Sequence, residues 1–527
     1  MTLSPPLTAP GAARAVSTDA RLRHTLLTWL VPDLAMTFAM VTLLSLFFVF
    51  GGAHALFDDT DTGWHILNGE TILSTGHLPA ADPYSFSKPN QPWIAWEWGA
   101  DVLMGAVCDA AGLAGIALLY GLTISASVWM WFRLNRAAGG NIVLAGLFFL
   151  PMISAVSLHW LARPHILSWL FLLGTVWLCE RMPLRQKWPH LFLIALGTAL
   201  WANLHASYFF APVIALIYAA GNLLQPLIWE TPRFTATSVS ARNFLRVALA
   251  SCAGSFANPN GWRLHEHVFS YLSNSALLDQ ITEYQSFNFH QPGAFRVIMA
   301  LAICFAGAFT ALAVRKPERF LLSLLLTAMA LRSIRVMPLA ALLVMPLANG
   351  SITAVLARVN GLAPTLRRSL SDVLNYGDRL QQIERGCHGL ALAPLFALLI
   401  FLAIRHDAGF ASGDAPVAAS AAVAHLPANA RIFSTDSFGG YLIYRFRGKR
   451  KVFFDGRSDY YGSAFLEGYM HLVSARPGWH DELKRWHFTQ ALIPPDCALI
   501  PALESTGWGE LYRDQTAVLL AAPHDAL

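Results

Sequence analysis

The run from Leu34 to Phe57, LAMTFAMVTLLSLFFVFGGAHALF, ends directly on Asp58-Asp59-Thr60-Asp61-Thr62-Gly63-Trp64-His65. An apolar stretch of that length suffices for a helix to cross the hydrocarbon of a bilayer, so the acids that follow it belong at a membrane surface. Ten more apolar stretches follow, at 113–132, 142–158, 165–180, 190–202, 207–228, 244–257, 296–314, 320–331, 336–356 and 388–404. Read by hydropathy, the chain is a mainly α, polytopic membrane helical bundle of about eleven spans.

Lys and Arg fall almost entirely into every second gap. The charge-rich gaps hold Arg14, Arg21, Arg23; Arg133, Arg136; Arg181, Arg185, Lys187; Arg233, Arg242, Arg246; Arg315, Lys316, Arg319; and Arg358, Arg367, Arg368, Arg379, Arg385. The others hold only Lys88, Arg163, Arg263, Arg296, Arg332 and Arg335. By the positive-inside rule the N-terminus is cytoplasmic and residues 58–96 form the first exported loop. An odd number of spans then exports the C-terminal tail.

With 527 residues, 55% hydrophobic and 13% charged, the chain is too apolar for an ordinary soluble domain. Its net charge of +5 gathers in loops that face anionic headgroups, which accounts for the excess without a nucleic-acid partner. The six cysteines follow no disulfide or zinc spacing. Three parts are expected: a disordered cytoplasmic leader over 1–30, a membrane body over 31–404, and a small soluble α/β domain over 405–527. In that domain Arg431–Ser434, Gly440–Arg445 and Lys451–Asp455 read as short strands, Ser463–Ser474 and Trp479–Trp486 as helices, and the region of Leu511–Ala521 as a closing strand pair. Residues 358–386 read as an amphipathic connector.

If the chain is helical from Asp58, the spacings of three and four place Asp58, Asp61 and His65 on one face. Two carboxylates and an imidazole there suit acid/base work or a divalent cation such as Mg or Mn. The ordinary alternative is that Asp58, Asp59 or Thr60 caps the helix and that Trp93, Trp96 and Trp98 belong to an interfacial belt. Two short exported gaps, His159-Trp160-Leu161-Ala162-Arg163-Pro164-His165 and Trp201-Ala202-Asn203-Leu204-His205, place polar groups at headgroup depth, where an arginine can grip a phosphate bidentately or simply snorkel. Arg332 and Arg335 stand on the side where cations are scarce and need an anionic partner, either a buried acid or a ligand phosphate. Asp58 or Asp61 would take a proton from an acceptor hydroxyl. Arg163, Arg332 and Arg335 would hold a leaving lipid phosphate.

Asp61-Thr62-Gly63-Trp64-His65, Gly69-Glu70, Asp82-Pro83-Tyr84-Ser85-Phe86, Glu97-Trp98, Arg163-Pro164-His165, Gly439-Gly440-Tyr441 and Asp455-Gly456-Arg457-Ser458-Asp459 form a pattern spread over most of the chain. With the acidic first loop and the exported tail, it resembles the integral-membrane glycosyltransferases of the C-type fold, the superfamily of protein mannosyltransferases and oligosaccharyltransferases. The match is to a largely uncharacterised bacterial subgroup.

The resemblance implies an enzyme of the bacterial inner membrane that takes a sugar from a polyprenyl-phosphate carrier. An envelope glycan, lipid or protein would be the acceptor, at the periplasmic face. It implies that a first-loop aspartate acts as base or metal ligand, carried onto Asp61 or Asp58, with His65 as a third ligand if a metal is held. On this reading Arg163, Arg332, Arg335, His65, His165, His205 and Glu97 contact the lipid phosphate or the substrates. The second exported loop departs from the oligosaccharyltransferase pattern, offering His159, Arg163 and His165 in place of acids. Two other readings fit the topology: a lipid or polysaccharide transporter or flippase, which calls for charges at mid-membrane depth, and a non-catalytic subunit of an envelope assembly complex.

Overall fold

The computed structural model describes residues 28–181, 187–229 and 234–523. Most of the expected leader lies outside the described residues, as do Arg14, Arg21, Arg23, Arg185 and Arg233 of the charge pattern. The body is helical: α1 (Leu34–Phe48), α2 (Asp61–Thr75), α3 (Trp98–Ala137), α4 (Ile142–Val156), α5 (His165–Arg181), α6 (Trp188–Leu204) and α7 (Phe210–Trp229), then α8 (Phe234–Ser255), α9 (Trp262–Ser273), α10 (Ala294–Ala313), α11 (Pro317–Arg332), α12 (Met345–Leu356), α13 (Pro364–Ile383) and α14 (Leu392–Ile404). Six helical stretches among the described residues are long and apolar enough to cross a bilayer: Thr28–Phe48, Trp98–Ala137, Ile142–His159, Ala206–Trp229, Ala294–Ala313 and Ile334–Leu356. Trp188–Leu204 and Leu392–Ile404 are shorter apolar helices. The chain is a multi-pass membrane protein.

Two boundaries differ from hydropathy. The first apolar run stops being α-helical at Phe48; Gly51, at φ 82, turns the chain into a 3-10 turn over Gly52–Phe57. Leu56 and Phe57 are 1% exposed, so this part of the run fills the protein core. The stretch 113–132 is the middle of α3, which breaks at Gly112 with φ 62, a conformation that glycine adopts without a Cβ clash.

The gaps between helices collect at two ends of the bundle. At one end the guanidinium of Arg319 grips both oxygens of Glu180 at 2.6 and 3.1 Å and donates to the Ala138 carbonyl, while the Tyr218 hydroxyl donates to Glu180. Arg133 pairs with Asp33 at 2.6 Å, and Asn349 links Asn135 to the Asn141 carbonyl. These residues come from the charge-rich gaps and their flanks, and the amphipathic α13 packs there through Gly377 against Asn141. The charge-poor gaps meet at the other end, under the C-terminal domain.

That domain carries β1 (Ile432–Ser434), α15 (Asp436–Arg445), α16 (Ser463–Val473), α17 (Trp479–Trp486), β2 (Gln490–Ile493), β3 (Gly509–Arg513) and β4 (Val518–Ala521). The sheet runs β1-β2-β4-β3, with β1 parallel to β2 and the other pairs antiparallel. Its core includes Phe433, Phe453, Leu472, Leu499 and Leu503, each at most 1% exposed. The strands expected at Gly440–Arg445 and Lys451–Asp455 are corrected. Residues 440–445 belong to α15, whose Phe438, Tyr441, Leu442 and Ile443 are buried. Of 451–455, only Val452 pairs, in a parallel bridge with Ser85 of the first loop.

Tail and loop are clamped by a buried charge cluster. Arg457 meets Asp455 at 2.6 and 2.7 Å and Asp82 at 2.8 Å, all three at most 3% exposed. The rings of Trp93, Tyr84 and Tyr460 surround its guanidinium at 4.7, 5.3 and 5.3 Å. In this turn Arg457 fixes the fold, and the neighbouring Gly456 reaches the site described next.

Candidate functional site

The acids behind the first span divide three ways. The helix begins at Asp61, not at Asp58, so the expected common face is not formed. Asp58 lies before it beside His54 and Asp414; burial first, and then the Asp414 charge, push its carboxyl up to about 6. Asp59 accepts from the Asp61 backbone N–H at 2.9 Å, a capping contact, and its other oxygen takes Arg163 Nη1 at 2.6 Å. Asp61 is itself 5% exposed.

Asp61 is held from both halves of the chain. Arg163 Nη2 donates to Oδ2 at 3.0 Å, and the backbone N–H of Gly456 donates to Oδ1 at 3.2 Å. A Cβ at position 456 would lie 2.0 Å from Asp61 Oδ2, so only glycine lets the tail approach this closely. The seam continues along α2 and α15, where a Cβ at Gly440 would lie 2.3 Å from the Thr60 carbonyl and one at Gly63 2.5 Å from the Gly440 carbonyl. Burial, and next the Asp59 charge, raise the Asp61 pKa against the pull of Arg163. A carboxylate so placed is a stronger base than one in water.

His65 faces elsewhere. Its Nδ1 hydrogen-bonds Asp101 Oδ1 at 2.6 Å, Asp101 Oδ2 accepts from Asn68 at 2.7 Å, and Trp64 stacks on the imidazole at 3.6 Å. Burial lowers the imidazole pKa to about 3, so it is neutral at pH 7. Its Nε2 stands 3.8 Å from Glu97, which on its other side lies 3.4 Å from His205 Nε2. His205 in turn is bonded to Ser207 at 2.8 Å, and His165 packs edgewise between His159 and Trp169.

The metal set of Asp58, Asp61 and His65 is therefore not assembled, and among the described residues no three His, Cys, Asp or Glu side chains converge as ligands. The direction from which a cation would approach Asp61 is taken by the Arg163 guanidinium. These residues do not fit a resident divalent ion.

Arg335 donates to Glu283 Oε2 at 2.6 Å and lies over the Tyr284 ring at 5.5 Å, so a carboxylate supplies the anionic partner this cation requires. Glu283 Oε1 also stands 3.5 Å from Arg163. Burial opposes ionisation of Glu283, yet Arg335 and then Arg163 bring its carboxyl down to about 2. Arg332 is exposed, and among the described residues its side chain makes no ion pair. Asp58, Asp61, Glu97, Arg163, His165, His205, Arg332 and Arg335 all line one cavity of about 1190 Å³, together with Trp64, Trp93, Trp96, Tyr271, Asp436 and Gly456. His65 does not line it. Leu161, Leu172, Phe209, Phe210, Met329 and Leu339 form an apolar side of the same space. The cavity is amphiphilic, lined by both charged and apolar side chains.

Sequence reading missed Asp101, Asp436 and the Gly456 amide. Asp101, 1% exposed near the start of the apolar α3, carried a signal in its isolation among Trp98, Ala100, Val102 and Leu103. The Gly456 amide carried none, because backbone groups have no residue identity.

Glu97 gives a test of burial by pH. Burial, offset by His65 and then reinforced by Asp101, raises its carboxyl to about 7. A raised acid pKa means the folded state binds the proton more tightly, so the destabilisation by Glu97 is absent below its ordinary value near 4.5, grows as pH rises, and is complete above about 7. Glu97→Gln is expected to raise the melting temperature in detergent at pH 8 and to leave it near wild type at pH 4. An equal effect at both pH values would contradict this.

No protein-family model and no curated protein matches the sequence. Among solved structures, the chain is similar to the archaeal oligosaccharyltransferase AglB from Archaeoglobus fulgidus in complex with an inhibitory peptide and a dolichol-phosphate: TM-score 0.50, 11% identity, over 97% of this chain and 75% of that one. The apo form of the Archaeoglobus fulgidus oligosaccharyltransferase aligns at TM-score 0.49 and 10% identity over 93% and 74% of the two chains. The same enzyme tethered to an acceptor peptide aligns at TM-score 0.48 and 11% identity over 87% and 68%. At these identities the likeness to the dolichol-phosphate complex shows a shared fold.

Proposed function

We propose that this protein is a glycosyltransferase that moves a sugar from a polyprenyl-phosphate carrier to a hydroxyl of a cell-envelope acceptor, at the periplasmic face of the bacterial inner membrane. The observation that carries the reading is the single amphiphilic cavity in which a buried carboxylate, Asp61, lies beside Arg163, with Arg332 and Arg335 on its wall. The resemblance in motifs and the fold shared with an oligosaccharyltransferase in complex with a dolichol-phosphate support it. A lipid chain suits the apolar side of the cavity, and its phosphate suits the arginines.

In the reaction the acceptor oxygen attacks the anomeric carbon as its proton passes to Asp61. The bond from that carbon to the phosphate oxygen breaks on the opposite face, and the electron pair leaves with the polyprenyl phosphate. The arginines stabilise the charge that develops there. In-line displacement inverts the anomeric configuration. Aromatic rings at Trp93, Trp96 and Tyr271 suit the apolar faces of a sugar, and Asp436 suits its hydroxyls.

The direct test is transfer by purified protein from a polyprenyl-phosphate sugar to envelope extracts, with product inversion read by NMR. The Arg332 role has its own measurement. Because this cation pairs with no acid among the described residues, Arg332→Ala is expected to raise the donor KM by about tenfold, as for a lost charge-assisted hydrogen bond, with the melting temperature unchanged. An unchanged KM would remove Arg332 from the donor site.

A further inference from the structure

Two of the three arginines at the cavity are balanced by acids. Arg163 and Arg335 are paired with Asp59, Asp61 and Glu283, so a phosphate arriving at these two cations as they stand meets no net positive charge. These acids are not equally replaceable. Asp59 and Asp61 sit at the helix start, with Asp59 engaged to the backbone and Asp61 to Gly456. Glu283 alone bridges Arg163 and Arg335, and its hold on Arg163 is the loosest of the three, at 3.5 Å against 2.6 and 3.0 Å.

We infer that Glu283 is an exchangeable occupant of the donor-phosphate seat: its carboxylate neutralises Arg163 and Arg335 while the site is empty, swings away when the lipid phosphate binds, and returns as the product phosphate leaves. This rests on the donor class proposed above. The surroundings permit the exchange. The backbone of the segment is tied down, because the Glu283 carbonyl accepts from Ser333 at 3.0 Å and the Gln285 carbonyl from the Ile334 N–H at 2.9 Å, so only the side chain need turn. Arg335 keeps its place without the acid, since its guanidinium lies over Tyr284. Arg163 keeps Asp59 and Asp61. Both cations therefore stay aimed at the vacated position.

The exchange also separates two tasks. Charges that bound phosphate unopposed would bind the product as firmly as the donor, and release would slow turnover. An internal carboxylate on the same two cations weakens both, and it disfavours any anion that lacks the lipid chain to compensate.

The test is binding of a long-chain polyprenyl phosphate to the full-length protein in nanodiscs, with inorganic phosphate measured in parallel. Glu283→Gln removes the competing charge, and Glu283→Asp retains it on a side chain too short to bridge both arginines. Both are expected to bind the lipid phosphate about tenfold more tightly than wild type, as when an occupied state is removed from a binding equilibrium. Arg335→Ala is expected to weaken binding. Affinity equal to or below wild type in either folded Glu283 variant overturns the exchange, because it makes Glu283 a support for the arginines. Inorganic phosphate is expected to gain by the same factor from a much weaker starting affinity; binding of inorganic phosphate as tight as that of the lipid phosphate overturns the assignment to the lipid carrier. Absence of binding by wild type and Arg335→Ala alike defeats the donor reading itself, and the exchange with it.

Discussion

Asp61→Asn is expected to lower sugar transfer by about 10²- to 10⁴-fold, the range for loss of a positioned general base. The amide is nearly isosteric, and its oxygen can still accept from the Gly456 N–H; Arg163 keeps Asp59 and Glu283. The variant should therefore fold, melt close to wild type and bind the polyprenyl-phosphate donor. What it lacks is a group able to take the acceptor proton. Asp58→Asn, altering an acid that lies before the helix beside His54, should cost much less. Transfer rates of the two purified variants on one donor preparation decide the matter. Should Asp61→Asn retain near-normal turnover while Asp58→Asn is silent, the base has been assigned to the wrong residue.

The second large effect is on stability. Arg457→Ala leaves Asp455 and Asp82 buried with no cation between them, and breaking such a pair from one side costs about 3–5 kcal/mol. The loss falls on the contact between tail and first loop, which Lys88 supports by donating to the carbonyls of Tyr460 and Tyr461 at 3.1 and 2.7 Å. Arg457→Lys is not expected to restore it, since a single ammonium cannot span both Asp455 oxygens and Asp82 while filling the space among three rings. Melting curves and limited proteolysis of the region from 446 to 462 measure the effect. A melting temperature within a degree or two of wild type for Arg457→Ala would mean the cluster contributes little.

Much of the body was legible because it depends on local hydropathy, and the positions of α4, α10 and α14 follow from runs of apolar residues. The grouping of charge-rich gaps at one end and charge-poor gaps at the other follows from their alternation along the chain. Three kinds of feature were not legible. Strand β2, with Ala491, Leu492 and Ile493 all buried, lacks the apolar-polar alternation by which a half-exposed strand is recognised. Helix α15 carries a Gly-Gly pair that suggests a turn; here the glycines permit close approach between backbones. The partners of Arg163 and Arg335 lie 102 and 52 positions away, so sequence placed the cations at one surface without showing which acids balance them. That is why a reading built on a phosphate clamp did not anticipate Glu283.

The hydrogen bond from Gly456 to Asp61 joins positions 395 apart. Ribosomes deliver chains from the N-terminus, and earlier parts fold first. Every helix of the bundle down to Ile404 is thus made before position 456 exists, and throughout that interval Asp61 lacks one of its two donors. Completion of the Asp61 contacts comes late in biogenesis, and a chain cut short before position 456 would insert as a full set of helices without the second donor to Asp61.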